Sequence, residues 1–146
     1  MILTKATLQD LTELYVLEQT LFEAVNFPLS KSSFRYHIKY NLLYTAKINN
    51  KIVGYILVLI KRKVAKIYSI GVLQEHRGKQ ISKSLLQKAL DALKILGFEK
   101  TCLEVRSDNF LAITLYEQYG FQVKKQLESF YLDACDAYFM EKNNSL

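Results

Sequence analysis

The sequence has few of the residues that mark disordered, disulfide-linked or metal-binding proteins. Its 146 residues include one proline, five glycines, two cysteines and two histidines, while 50% are hydrophobic. A chain of this length and composition is typical of one globular domain, so we predict a single domain over residues 1–146. Cys102 and Cys135 form no spaced framework, and neither has a cysteine or histidine at metal-ligand spacing. We expect two reduced thiols in a cytoplasmic protein, and no metal site.

Long hydrophobic segments are also missing. The longest apolar run, Tyr-Ile-Leu-Val-Leu-Ile at 55–60, is far too short to span a bilayer and suits a buried strand. The first residues show no charged segment followed by a long apolar one, so we expect no signal peptide and no membrane partner.

Positive charge is in excess. Twenty lysines and arginines face 14 acidic residues, which gives a formal net charge of +6. This excess favours polyanionic ligands: a nucleotide with several phosphates, an acidic protein surface or nucleic acid. The charge by itself does not choose among them.

Hydrophobic periodicity and turn residues predict alternating strands and helices. Thr7 and Asp10 form a capping pair before the first helix, and Ser30 can cap the second. Turns are predicted at 26–28 and at 49–50, and Gly97 is placed to end the long helix. The predicted strands are 2–6, 43–48, 51–60, 64–73, 101–106 and two more within 121–140; the predicted helices are 11–21, one after Ser30, one from Lys79, and 109–119. The resulting order is βααβββαβαββ.

A carboxylate and a phenol stand out near the end of the chain. Glu104 lies on a short strand whose neighbours Leu103 and Val105 point to the opposite face, and Tyr116 lies about two turns into the following helix. Without further information, Glu104 is a carboxylate paired with Arg106 or Lys100, and Tyr116 is a core aromatic residue.

A second motif follows the strand that ends in Ile70-Gly71-Val72. It reads His76-Arg77-Gly78-Lys79-Gln80-Ile81-Ser82-Lys83 and leads into the long amphipathic helix. A helix N-terminus attracts anions, because its first amides lack partners and the dipole adds roughly half a positive charge. The alternative interpretation is an ordinary lysine-rich helix start.

Together these motifs resemble the GNAT family of acetyl-CoA-dependent acetyltransferases, and more closely its ribosomal-protein-alanine N-acetyltransferase branch. The resemblance rests on Glu104, Asn109, Tyr116 and Gly120-Phe121, with the cofactor-loop pattern beginning at Arg77. It implies an α/β (α+β) GNAT fold: a mixed, mostly antiparallel sheet of six to seven strands with helices on both faces. Two positions differ from the family's loop pattern. Gln80 stands where the family has a glycine, and the small Ser82 stands where it has glycine or alanine.

The resemblance also implies the roles of individual residues. Glu104 would be the general base and Tyr116 the general acid. The small Gly71 would let the ligand lie close to the strand. Contacts to acetyl-CoA are implied for Ile70, Gly71, Val72, Arg77, Gly78, Lys79, Gln80, Ile81, Ser82, Lys83 and Asn109.

The acceptor side resembles the branch less closely. Leu29 replaces a tryptophan of the family's Phe-Pro-Trp-Ser turn, and the segment from Leu132 to Cys135 is shortened. We expect the acceptor to be the N-terminal α-amino group of a protein, such as a ribosomal protein. The alternatives are a lysine or small-molecule amine, or a basic binding module without catalysis that docks on RNA or a protein through Lys61-Arg62-Lys63 and Lys124-Lys125.

Overall fold

The helices and strands follow the predicted order. The structure is a computed structural model that describes residues 1–22 and 28–144, so Asn26 and Phe27 of the predicted turn lie outside the described residues. The elements are β1 (Ile2–Lys5), α1 (Leu11–Leu21), α2 (Lys31–Tyr40), β2 (Leu42–Ile48), β3 (Lys51–Lys61), β4 (Val64–Val72), α3 (Ile81–Leu96), β5 (Lys100–Arg106), α4 (Phe110–Gln118), β6 (Gln122–Leu127) and β7 (Ala137–Asn143).

The seven strands belong to one mixed sheet, in the order β1-β2-β3-β4-β5-β7-β6. Strands β4 and β5 run parallel, whereas β5–β7, β6–β7, β1–β2 and β2–β3 are antiparallel pairs. The predicted fold class and strand number are confirmed. Residue contacts divide the chain into two compact units: unit 1 is Met1–Leu59 with Ser69–Ala92, and unit 2 is Ile60–Tyr68 with Leu93–Leu146.

Unit 1 is organised by local signals that the sequence shows. Asp10 Oδ2 accepts a hydrogen bond from the Thr7 amide at 2.9 Å, and Ser30 Oγ accepts one from the Ser33 amide at 3.1 Å. Asn49 and Asn50 adopt φ values of 52° and 66°, as the predicted hairpin turn between β2 and β3 requires. The core of this unit is formed by Ala6, Leu11, Leu14, Leu17, Phe34, Leu43, Ile52, Tyr55 and Leu57.

A buried carboxylate lies within this apolar core. Glu18 on α1 is 3% exposed, and its carboxylate accepts hydrogen bonds from the Tyr55 hydroxyl at 2.5 Å and the Leu29 amide at 2.8 Å. Tyr55 also hydrogen-bonds Ser69 Oγ at 2.9 Å. Because a buried carboxyl group is costly unless it is hydrogen-bonded, these contacts are needed here, and they link α1, β3 and β4.

Unit 2 places β5 between β4 and β7. Lys66 of β4 lies opposite Cys102, and Phe139 of β7 lies opposite Glu104. Leu103 and Val105 are 1% and 5% exposed, which confirms that they share the inward face. Since residues alternate along a strand, Glu104 points to the other face.

Gly97 ends α3, as predicted. Its φ is 85°, its amide donates to the Lys94 carbonyl at 3.2 Å, and the Phe98 amide donates to the Leu93 carbonyl at 3.0 Å. This pair of bonds is the Schellman arrangement, in which a left-handed residue closes the helix.

Candidate functional site

The carboxylate of Glu104 is mostly shielded from solvent, with 15% of its side chain exposed. Its ion-pair partner is Lys66 on β4, so the alternative interpretation, in which Glu104 pairs with Arg106 or Lys100, is wrong about the partner. Arg106 instead binds Asp108 and Asp133, and Lys100 pairs with Glu141 at 3.7 Å. The sequence could not show this pairing, because the parallel neighbour of β5 lies more than 30 residues away along the chain.

The side chain of Tyr116 is partly buried. Burial raises the pKa of Tyr116 to about 12, and the neighbouring Tyr131 adds to the shift. The edge of the ring meets Phe121, with centroids 5.7 Å apart. Tyr116 is therefore a protonated phenol at every physiological pH, able to donate a hydrogen bond.

Tyr131 links the two predicted catalytic residues, and the sequence did not identify it as a site residue. Burial raises the pKa of Tyr131, and the charge of Glu104 raises it further. Since Tyr131 in turn raises the pKa of Tyr116, Tyr131 lies within electrostatic range of both Glu104 and Tyr116. The signal in the sequence was the aromatic pair Phe130-Tyr131, whose rings lie 5.1 Å apart.

Arg106 holds the segment that carries Tyr131. Its guanidinium binds Asp133 through two hydrogen bonds of 2.7 and 3.2 Å, and Asp108 through bonds of 3.1 and 3.3 Å. The same guanidinium lies over the Tyr131 ring at 5.1 Å. The bidentate pair joins the β6–β7 connection to the end of β5, where the Tyr131 ring lies against the guanidinium.

Cys102 precedes Glu104 on the same face of β5 and stays a thiol. Burial raises its pKa, and the charge of Glu104 raises it further, although Lys66 opposes this. Because the thiolate is the nucleophilic form of cysteine, Cys102 is poorly suited to carry an acyl group. Direct transfer between two bound substrates fits this environment better than an acyl-cysteine route.

Asn109 caps α4. Its side-chain oxygen accepts a hydrogen bond from the Ala112 amide at 3.2 Å. This is the capping role that residue type and position predicted, and the side-chain amide nitrogen is a separate donor.

The predicted cofactor loop, residues 70–83, belongs to unit 1. Arg77 Nε donates to the Val72 carbonyl at 3.2 Å, which ties the loop back to the end of β4. Gly78 has a φ of 81° and open space where a side chain would stand. With Lys79 and Lys83 beside the N-terminus of α3, the segment presents backbone amides and cations together, as a polyphosphate ligand needs.

Gln80 adopts the conformation that the family's glycine suggests. Its φ is 65°, in the left-handed region. The prediction that α3 starts at Lys79 is wrong by two residues, because a residue with positive φ cannot continue a right-handed helix and α3 begins at Ile81. The position therefore does require a glycine-like backbone, and glutamine adopts it at a cost.

Gly71 is small for a reason that the sequence did not reveal. A side chain there would meet Leu21 Cδ1 at 2.5 Å and the Tyr55 ring at 3.3 Å. The space beside Gly71 is thus filled by the protein's own core rather than kept open for a ligand. Its main-chain groups remain the candidates for contact with a cofactor.

Replacing Gln80 with glycine is expected to stabilise the protein. Relief of the left-handed conformation is worth about 1–2 kcal/mol, and the greater backbone entropy of unfolded glycine offsets about 0.5–1 kcal/mol. We expect the free energy of unfolding to rise by about 0.5–1 kcal/mol, measured by urea denaturation. The control Gln80→Ala keeps the strained backbone with a Cβ, and an equal gain there would show that backbone conformation is not the cause.

Residues 1–22 and 28–144 show neither a metal-ligand cluster nor a helix able to span a membrane. No group of three or more histidine, cysteine or acidic side chains could hold a metal ion there. Across the same residues, the helices are too short or too polar to cross a bilayer.

Comparison with known proteins gives consistent matches. A family model described as "Acetyltransferase (GNAT) family" matches residues 8–121. An "N-alpha-acetyltransferase" of Saccharolobus solfataricus is 36% identical over 73% of this chain and 72% of its own length. One of the same name from Sulfolobus acidocaldarius is 32% identical over 92% of this chain and 88% of its own.

Solved structures agree with the sequence matches. The crystal structure of the ribosomal-protein-S18-alanine N-acetyltransferase from Escherichia coli superposes with a TM-score of 0.89 at 26% identity. The match covers 99% of this chain and 94% of the other.

Proposed function

We propose that this chain, which belongs to the acetyltransferase (GNAT) family, transfers the acetyl group of acetyl-CoA to the N-terminal α-amino group of a protein. Membership makes it an acetyl-CoA-dependent N-acetyltransferase. The observation that carries the choice of acceptor is the pair of relatives named N-alpha-acetyltransferase, at 36% and 32% identity. Because the Escherichia coli match is a ribosomal-protein acetyltransferase, a ribosomal protein is the first candidate substrate. The two proteins would meet in the cytoplasm.

The chemistry of the amine supports the same choice. An α-amino group has a pKa of about 8, so about a tenth is free base at pH 7, whereas deprotonating a lysine with a pKa of about 10.4 costs roughly 4.6 kcal/mol. The Glu104 carboxylate of the proposed site is better matched to the weaker base. A protein N-terminus is therefore the acceptor that these residues can activate most easily.

In this reaction the neutral nitrogen attacks the thioester carbonyl carbon. The N–C bond forms, the C–S bond breaks, and the proton lost from nitrogen goes to Glu104, directly or through water. The CoA thiolate leaves, and Tyr116 donates a hydrogen bond to it. Full proton transfer from a phenol with a pKa of about 12 to a thiolate whose acid has a pKa of about 8.5 is uphill by roughly 5 kcal/mol. Tyr116 therefore stabilises the developing negative charge, and solvent supplies the final proton.

Unit 1 provides the proposed binding segment for acetyl-CoA. The backbone from Ile70 to Val72 would hold the pantetheine arm as an added strand, and the amides and cations of residues 77–83 would hold the diphosphate. Asn109 of α4 would contact the pantetheine amides through its side-chain nitrogen.

The acceptor can be identified with two matched peptides. Both carry an N-terminal Ala or Ser and one internal lysine, and one is blocked at its α-amine. We expect acetyl-CoA-dependent addition of one acetyl group to the free peptide, and fragment-ion mass spectrometry should place that group at the N-terminus. The blocked peptide should give about 100-fold less product. Equal acetylation of both peptides would assign the activity to lysine. Turnover only on a panel of small amines would contradict a protein acceptor altogether.

A further inference from the structure

The proposed base already holds a cation. Lys66 Nζ on β4 and Glu104 Oε1 on β5 form an ion pair in which the lysine side chain is 40% exposed and that of Glu104 15%. Lysine is the more solvent-exposed partner, and little of the carboxylate is left to water. An acceptor nitrogen that approaches Glu104 therefore also approaches the Lys66 ammonium.

Arg106, Tyr131 and Cys102 also lie near Glu104, but they do not compete with Lys66 as its counter-ion. Arg106, on the same face of β5, is held by Asp108 and Asp133. Tyr131 and Cys102 stay neutral, because burial and the charge of Glu104 raise the pKa of each.

The neighbours of Glu104 named next, on β7 and α4, add no positive charge beside it. Phe139, opposite Glu104 in the sheet, is apolar, and Glu141, opposite Cys102, pairs with Lys100 at 3.7 Å. Tyr116 of α4 is protonated, with a pKa of about 12. The positive charge that faces Glu104 is the Lys66 ammonium.

This charge affects the two forms of an α-amine differently. At pH 7 most of the acceptor is an ammonium ion, which would bring a second positive charge beside Lys66. In a partly buried site the repulsion by Lys66 offsets the attraction of Glu104 for this ammonium ion, and the offset corresponds to roughly tenfold to a hundredfold in affinity. A neutral amine meets no such repulsion and can still donate a hydrogen bond to Glu104.

We propose that Lys66 is a positioning residue that makes the site select the neutral form of the acceptor amine, by holding the Glu104 carboxylate and repelling an acceptor that arrives as an ammonium ion. The proposal rests on the proposed function, with Glu104 as the base. It assigns Lys66 a role in choosing the reactive form of the substrate, beyond linking two strands.

Two unreactive peptides separate charge selection from strand linkage. Both peptides have the sequence of a good substrate. One carries a trimethylated α-nitrogen, which is permanently cationic. In the other, a carbon atom replaces that nitrogen, which gives a neutral isostere. Inhibition constants of both are measured with the wild-type protein and with Lys66→Met, Lys66→Arg and Lys63→Met. Lys63 is a matched control, because it pairs with Glu99 at the surface, at 3.4 Å.

We expect the ratio of the two inhibition constants, cationic peptide over isostere, to be one or more in the wild-type protein, because Lys66 offsets the attraction of Glu104. Lys66→Met should reduce this ratio at least fivefold, while Lys66→Arg and Lys63→Met keep it.

A ratio unchanged within twofold in Lys66→Met, with both peptides still binding, would overturn the proposal and leave the proposed function intact. If neither peptide inhibits the wild-type protein, the acceptor assignment fails, and this proposal fails with it. A purely structural Lys66 would change thermal unfolding without changing the ratio, and Lys66→Gln repeats the test should the Met variant fold poorly.

Discussion

Glu104→Gln is expected to lower kcat by about 10²- to 10⁴-fold, the range that a positioned general base contributes. Glutamine has nearly the same shape and keeps one acceptor oxygen, but it cannot take the proton of the attacking nitrogen. Steady-state assays with saturating acetyl-CoA and an N-terminal peptide measure the loss. The affinity for CoA, measured by calorimetry, should change less than threefold, since Glu104 is not among the residues proposed to bind it.

A surface carboxylate in the same unit provides the control for this variant. Glu99 pairs with Lys63 and has 64% of its side chain exposed. Glu99→Gln removes the same charge from unit 2 and should leave kcat within twofold of wild type. If Glu104→Gln keeps more than a third of the wild-type kcat, the carboxylate is not the base, and its pairing with Lys66 is structural.

Tyr116→Phe should lower kcat by about 10² to 10³, the range for losing one hydrogen-bond donor to a developing charge, while CoA binding stays nearly unchanged. The ring still packs on Phe121 at the same place, so the variant removes only the hydroxyl. The hydrogen bond it would give the departing sulfur forms only as charge develops there, so its loss falls on kcat and not on affinity. Stopped-flow or steady-state turnover with the peptide substrate measures this.

The raised pKa adds a pH signature to the role of Tyr116. Its ordinary pKa is 10.0 and burial raises it to about 12, so the phenol keeps its proton up to about pH 11. The wild-type kcat profile should therefore show no fall caused by this group below that pH. Tyr131→Phe is the decisive comparison, because a larger loss there than in Tyr116→Phe would move the donor role to Tyr131.

The fold was largely predictable because its signals are local. The Thr7–Asp10 and Ser30 caps, the Asn49-Asn50 turn and the Gly97 stop each depend on residues within five positions of one another, and alternation along β5 placed Leu103 and Val105 inward. Such features are encoded by short-range sterics and hydrogen bonds that a sequence displays directly.

The environment of the site was less predictable because it depends on partners distant in sequence. The nearest cations along the chain, Arg106 and Lys100, were the partners that the sequence offered for Glu104 in the alternative interpretation, yet the parallel pairing of β4 with β5 brings Lys66 to it. Burial of Tyr116 depends on how α4 packs, which the chain order does not reveal. The contact of Gly71 with Leu21 of α1 likewise joins residues fifty positions apart.

The central claim is that Glu104 and Tyr116 act on the nitrogen and the sulfur of one acetyl transfer. A crystal structure with a bisubstrate ligand, in which CoA is joined through an acetyl linker to the α-nitrogen of a substrate peptide, tests it most directly. We predict that the ligand nitrogen lies within hydrogen-bond distance of Glu104, directly or through one water, and that the sulfur lies within about 3.5 Å of the Tyr116 hydroxyl. A ligand bound with its nitrogen and sulfur more than about 6 Å from both side chains would contradict the account.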